Sequence, residues 1–213
     1  TAGVNLDEYQ SQVSEYLKSL IRAGQRTMPQ YLSIFLQTTQ NLKEPSVEPH
    51  KLCGEFFAEE EWLPSALAAN DIVGLHTLKM NKLLLMYHFD QDEALARHIG
   101  ELDDYLHGAQ GLFSVPLVFL YIPLSKLRLL SNSKQLPEAM NLASKCLHWF
   151  DIWSQFVPTT FQHMHDLLMA EMGRVSGDID VAIDYYEQAI EGARKVNFTH
   201  HEALANELYA RFW

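Results

Sequence analysis

The sequence predicts an all-α fold of about ten helices, arranged as a helical-hairpin solenoid, the right-handed α–α superhelix in which each hairpin stacks on the next. Three observations carry this expectation. Apolar residues recur at helical spacing in nearly every stretch between turn signals, and no segment alternates convincingly as a strand. Ala94-Leu95 with Leu102, Ala139-Met140 with Leu147, and Ala182-Ile183 with Ile190 repeat one pattern, a small residue eight positions before an aliphatic one, in copies spaced 45 and then 43 residues apart. That period belongs to repeats of one helix pair each, which bury their apolar faces only by stacking on neighbours. Hydrophobic residues make up 47% of the 213 and aromatics 11%, enough for a sizeable core.

In chain order the periodicity places helices at 6–23, 29–42, 60–69, 71–88, 91–107, 112–130, 136–155, 160–175, 179–196 and 199–213. Gly24, Pro45 with Pro49, Asn70-Asp71, Gly108 with Gly111, Ser131 to Ser133, Pro158 and Gly177-Asp178 punctuate them. The longest irregular piece, 43–58, is expected to pack Leu52, Phe56 and Phe57 against the helices. The most apolar run, Leu112 to Leu124, is thirteen residues long and holds Pro116 and Pro123, so it falls short of the roughly 20 residues that cross a bilayer. It reads as a buried helix that Pro123 should kink, because proline removes a backbone donor and crowds the preceding turn. One continuous domain over 1–213 is expected, with N-terminal helices and an irregular connection in 1–58 and the repeats in 59–213. The chain begins at Thr1 without an initiator Met, and the apolar pattern Leu204, Leu208, Phe212 runs on to Trp213. These ends predict a fragment of a longer chain.

The charge excludes some partners. Twenty-seven acids against 16 bases give a net charge of −11, and the densest basic stretch is only Lys126, Arg128 and Lys134, so neither nucleic acid nor an anionic membrane is expected as a partner. Proteins are. The two cysteines, Cys53 and Cys146, form no CxxC pair and fit a reducing, cytoplasmic setting; on that reading the sequon Asn197-Phe198-Thr199 has no role.

No catalytic, cofactor-binding or metal-binding residue is expected from the sequence. His163, His165, His200, His201 and His148 are the histidines that invite a metal, but His163 and His165 stand two apart on a helix and point in different directions. His201-Glu202 is followed by Ala205 where HExxH needs its second histidine. Glu101, Asp103 and Asp104 lack the further acid of a magnesium site and read as a solvated helix end. Ser131 to Lys134 satisfies SxxK without its partner motifs, and phosphate-loop, dinucleotide, kinase and nucleophile-elbow signatures do not occur. Met164, Met169 and Met172 with Trp149 and Trp153 could line an adaptable apolar groove, although such a stripe is more often core.

Ala170, Gly177, Ala182, Tyr186 and Ala189 fall at the small and aromatic positions of a tetratricopeptide repeat. Small residues let two antiparallel helices approach, and glycine makes the turn. Gly173 stands where that repeat usually has Tyr. More widely, Glu202-Ala203-Leu204-Ala205-Asn206-Glu207-Leu208 with Ala210 and Phe212-Trp213, the stretch Ala182 to Ile190, and upstream Gly54-Glu55, Leu63-Pro64, Asn70-Asp71 and Val115-Pro116 make 52–213 resemble the helical region of large multi-domain signalling kinases. Those proteins join a Ser/Thr kinase-like domain, an AAA or STAND ATPase, this helical region, a GAF sensor and a histidine kinase. The family usually has a Phe-Tyr-Asp-Ser-Leu-like stretch where this chain has Phe119 to Leu124. The resemblance implies a non-catalytic cytoplasmic scaffold whose partners are flanking domains of the same chain or other signalling proteins. A free-standing peptide-binding repeat protein and an all-helical metalloenzyme are the alternative readings.

Overall fold

The computed structural model describes residues 3–102, 112 and 114–213. The protein is all-helical, with ten helices among the described residues: α1 (Leu6–Arg22), α2 (Thr27–Lys43), α3 (Glu59–Ala68), α4 (Ile72–His88), α5 (Asp92–Leu102), α6 (Val115–Leu130), α7 (Leu136–Phe156), α8 (Pro158–Ser176), α9 (Ile179–Lys195) and α10 (Thr199–Phe212). Their bounds follow the expected ones closely. The exceptions lie around residues 103–113, where the expected end of the fifth helix, Asp103-Asp104, Gly108 and Gly111 fall outside the described residues. None of the described helices is long and apolar enough to cross a membrane.

Local chemistry explains the boundaries. Asn5, Asp71 and Asp178 cap α1, α4 and α9 by accepting from backbone amides one turn on. Asn70, Asp90 and Asn197 take left-handed backbone at φ 50, 54 and 59°, ending α3, α4 and α9, as short polar side chains permit. Gly177 ends α8 at φ 79°, a conformation that favours glycine. Pro158 opens α8, where a missing amide costs nothing. Pro123 sits buried inside α6, which continues through it to Leu130; the proline removes the donor that the Phe119 carbonyl would accept.

Contacts gather the chain into two compact units, 4–115 and 116–213, the second joined by Gly3. In the first, α2 packs on α1 and α4, and α4 also meets α3 and α5. Its core holds Ile34, Leu52, Phe57, Trp62, Leu75, Leu78 and Leu85. The irregular piece contributes to that core as expected through Leu52 and Phe57, whereas Phe56 is only half-buried. A buried amide relay fastens it. Gln37 donates to Asn41 at 2.8 Å, Asn41 donates to the carbonyls of Pro49 and Lys51 at 2.9 Å, and the Gln37 carbonyl oxygen accepts from the Phe56 amide at 3.1 Å.

In the second unit α8 lies against α7 and α9, and α10 against α9 and α8. Ala170, Ala182, Tyr186 and Ala189 are all buried at this hairpin. Gly173 explains its own departure from the repeat pattern: a Cβ there would stand 2.9 Å from the Ala182 backbone nitrogen, so a tyrosine has no room. Glu171, almost fully buried, accepts from Arg174 Nε with both oxygens at 3.1 Å, from Arg174 Nη2 at 2.8 Å, and from the Tyr186 hydroxyl, which joins α8 to α9. A buried carboxylate is tolerated when it is paired and hydrogen-bonded in this way.

Candidate functional site

The residues that the sequence singles out resolve into structural roles or separate from one another. His163 and His165 do diverge: the first points at His201 of α10, Nε2 to Nδ1 at 2.8 Å, and the second sits between Asp151 at 3.2 Å and Asp166 at 2.9 Å. Among the described residues no group of three or more His, Cys, Asp or Glu side chains is arranged to hold a metal ion. Ser131 donates to the Arg128 carbonyl, and Glu101 pairs with Lys79. Cys53 and Cys146 are free thiols; Cys146 is buried, and burial pushes its thiol up to about 11, so it stays protonated and inert at neutral pH.

One pairing that sequence reasoning missed resembles catalytic machinery. His76 Nε2 and Ser114 Oγ lie 3.0 Å apart. Both residues are buried, His76 completely, and no described cavity opens on them. A nucleophile needs a reachable oxygen, so this bond ties the Ser114 turn to α4.

The apolar stripe divides between core and surface. Met164 is buried, whereas Trp149 is 46% exposed and Trp153 half-buried. Trp153 stands at the centre of a ring cluster with Phe119, Phe150 and Phe161 at 5.3–5.5 Å and Trp149 at 6.1 Å. These rings pack on one another.

An open feature of mixed apolar and polar lining lies in the first unit. A groove of about 400 Å³ runs between α1, α2 and the start of α3. Leu17 and Ile21 form one wall, Pro29 and Ser33 the bed, and Phe56, Phe57 and Trp62 the other wall. Three sequence features produce it. Helix α1 is amphipathic, with Val13, Leu17 and Leu20 half-buried, yet none of its residues is fully buried and Ile21 remains 58% exposed. The amide relay from Gln37 holds Phe56 at the edge. Trp62 is fixed by a 5.5 Å ring contact with Phe57, while its Nε1 donates to Gln30 at 3.4 Å.

Its electrostatics are lopsided. Helix α3 opens with Glu59, Glu60 and Glu61; Glu59 is taken by Lys82, and Glu61 is the charged side chain that lines the groove, with no ion pair among the described residues. On the facing helix Lys18 is already paired to Glu15 at 2.6 Å, and Arg22 lies in the last turn, where it complements the helix dipole. A smaller cavity of about 150 Å³ in the second unit is lined by Arg128, Arg174, Arg211, Leu208 and Glu171, the carboxylate of the α8–α9 brace. No family model matches the chain, and neither a curated protein nor a solved structure does.

Proposed function

We propose that this chain is a non-catalytic helical-repeat scaffold that binds protein segments. Within multi-domain signalling kinases of the kind 52–213 resembles, it would link the nucleotide switch to the sensor and kinase modules in the cytoplasm. The observation that carries the binding role is the α1–α2–α3 groove: apolar at Leu17, Ile21, Phe56 and Trp62, polar at Gln30, Ser33 and Ser65, of the size that accommodates a few side chains, and edged by Glu61. The partner it fits is an amphipathic segment whose apolar side chains enter between Ile21 and Trp62 and whose Lys or Arg meets Glu61. Burying two such side chains is worth about 3–6 kcal/mol before the cost of ordering, which implies binding no tighter than about tens of micromolar. The tetratricopeptide-like reading is supported by the α8–α9 hairpin, with its buried small residues and glycine turn, and by the packing of α10 on both of its helices.

The test is fluorescence anisotropy with two labelled helical peptides of equal length, one of leucines and lysines, the other of leucines and glutamates. The lysine peptide is expected to bind and the glutamate peptide not to. Ser33→Trp, which fills the bed of the groove, should abolish binding while circular dichroism stays unchanged. Equal binding by Ser33→Trp would rule the groove out as the binding surface.

A further inference from the structure

The groove between α1, α2 and α3 has a lining more specific than apolar surface with an acid at its rim. Three of its lining residues are aromatic, Phe56, Phe57 and Trp62; one is charged, Glu61; and none is basic. Phe57 and Trp62 meet at 57° with ring centroids 5.5 Å apart, a corner rather than a stack. Their bodies are buried, at 7% and 9% exposed, whereas Phe56 beside them is half-buried. We propose that this corner, with Glu61, is a site for a quaternary ammonium group, the trimethylated side chain of a lysine in the segment that the groove receives. The assignment of that source rests on the reading of the groove as a surface for protein segments.

The chemistry of the lining selects this ligand. An aromatic ring presents a negative face, and a cation within about 6 Å of its centroid is attracted to it. An unmodified lysine gains that attraction only after shedding water from three N–H donors, for which the rings supply no acceptor. Trimethylation removes the donors and spreads the charge over methyl groups. The same side chain then buries apolar surface against Leu17, Ile21 and the rings, and its charge meets Glu61 at the rim. The corner is also held in place before any ligand arrives. Trp62 Nε1 donates to Gln30 at 3.4 Å, the Ser65 hydroxyl donates to the Trp62 carbonyl at 2.7 Å, and the Phe56 amide donates to Gln37 at 3.1 Å. Little order is therefore lost on binding. Two cations of the flanking helices are engaged elsewhere: Lys82 of α4 pairs with Glu59, and Lys18 of α1 pairs with Glu15 at 2.6 Å.

Fluorescence anisotropy with the leucine–lysine peptide in three forms tests this: unmodified lysine, trimethyllysine, and the uncharged analogue in which carbon replaces the nitrogen. Trimethyllysine is expected to bind about tenfold tighter than lysine, and the uncharged analogue to lose that gain. Phe56→Leu, at a half-buried position, should remove most of the gain while circular dichroism and the affinity for the lysine peptide stay nearly unchanged. Equal or weaker binding of trimethyllysine, equal binding of the uncharged analogue, or an undiminished gain in Phe56→Leu would overturn the proposal. A second measurement needs no peptide and separates the ammonium site from the segment reading. Choline is titrated against the Trp62 indole proton resonance, which Trp62→Phe assigns among the chain's four tryptophans. Millimolar choline is expected to shift it, and the uncharged tert-butyl isostere of choline is not. A choline shift without binding of any peptide would sink the segment source and uphold the ammonium site. No choline shift, or an equal shift with the isostere, would overturn the site even where the lysine peptide binds.

Discussion

At the scale of single residues, Gly173 and Tyr186 are the positions on which the second unit's hairpin depends. A methyl group at Gly173 must displace the Ala182 backbone, so Gly173→Ala should lower stability by about 1–3 kcal/mol in urea denaturation, the range of an overpacked core. A value near zero would mean that α8 and α9 separate freely there. Tyr186→Phe removes one of the donors to the buried Glu171 carboxylate, and a loss of about 1–3 kcal/mol is expected from the weakened solvation of that charge. Sequence alone showed Gly173 only as a departure from a repeat pattern; the close approach of Ala182 gives the departure its cause. The pairing of His163 with His201 had no local signal, because the two residues are 38 positions apart and each alone is an ordinary histidine on a helix face.

At the scale of elements, helices were legible because their ends are chemical. Asn5, Asp71 and Asp178 cap, Pro158 starts and Gly177 stops, and each can be read without knowing what the helix packs against. The groove was not legible, because its walls come from α1, α2, the irregular piece and α3, whose apolar residues look like ordinary core when taken one element at a time. The stripe that does stand out in the sequence, Met164, Met169, Met172, Trp149 and Trp153, is divided by the fold among buried, half-buried and exposed positions. The available signal was α1 itself, an amphipathic helix that buries none of its residues completely. The irregular piece owes its order to Gln37 and Asn41, so Asn41→Leu should free residues 45–57 and raise proteolytic cleavage there several-fold, with far-ultraviolet dichroism nearly unchanged. Cleavage at the wild-type rate would show that Leu52 and Phe57 alone hold the segment.

At the scale of the whole molecule, the proposed partner rests on composition more than on the fold. A chain of net charge −11 repels nucleic acid and acidic surfaces, and it attracts basic segments over distances set by ionic strength. Binding of the leucine–lysine peptide should therefore weaken several-fold between about 0.05 M and about 0.5 M salt, a change read by the same anisotropy titration. Salt-independent binding would leave Glu61 without a part in recognition.

The central claim, that the α1–α2–α3 groove receives a protein segment, is tested most directly by site-specific photo-crosslinking in the native cell. Benzoylphenylalanine is placed at Ser33 in the groove bed, or at exposed Glu187 on α9 as a control. The expected result is a set of adducts from Ser33 that map by mass spectrometry to one or a few segments, each apolar with flanking Lys or Arg and none shared with the control. The same adducts at both positions, or none at Ser33, would contradict the claim.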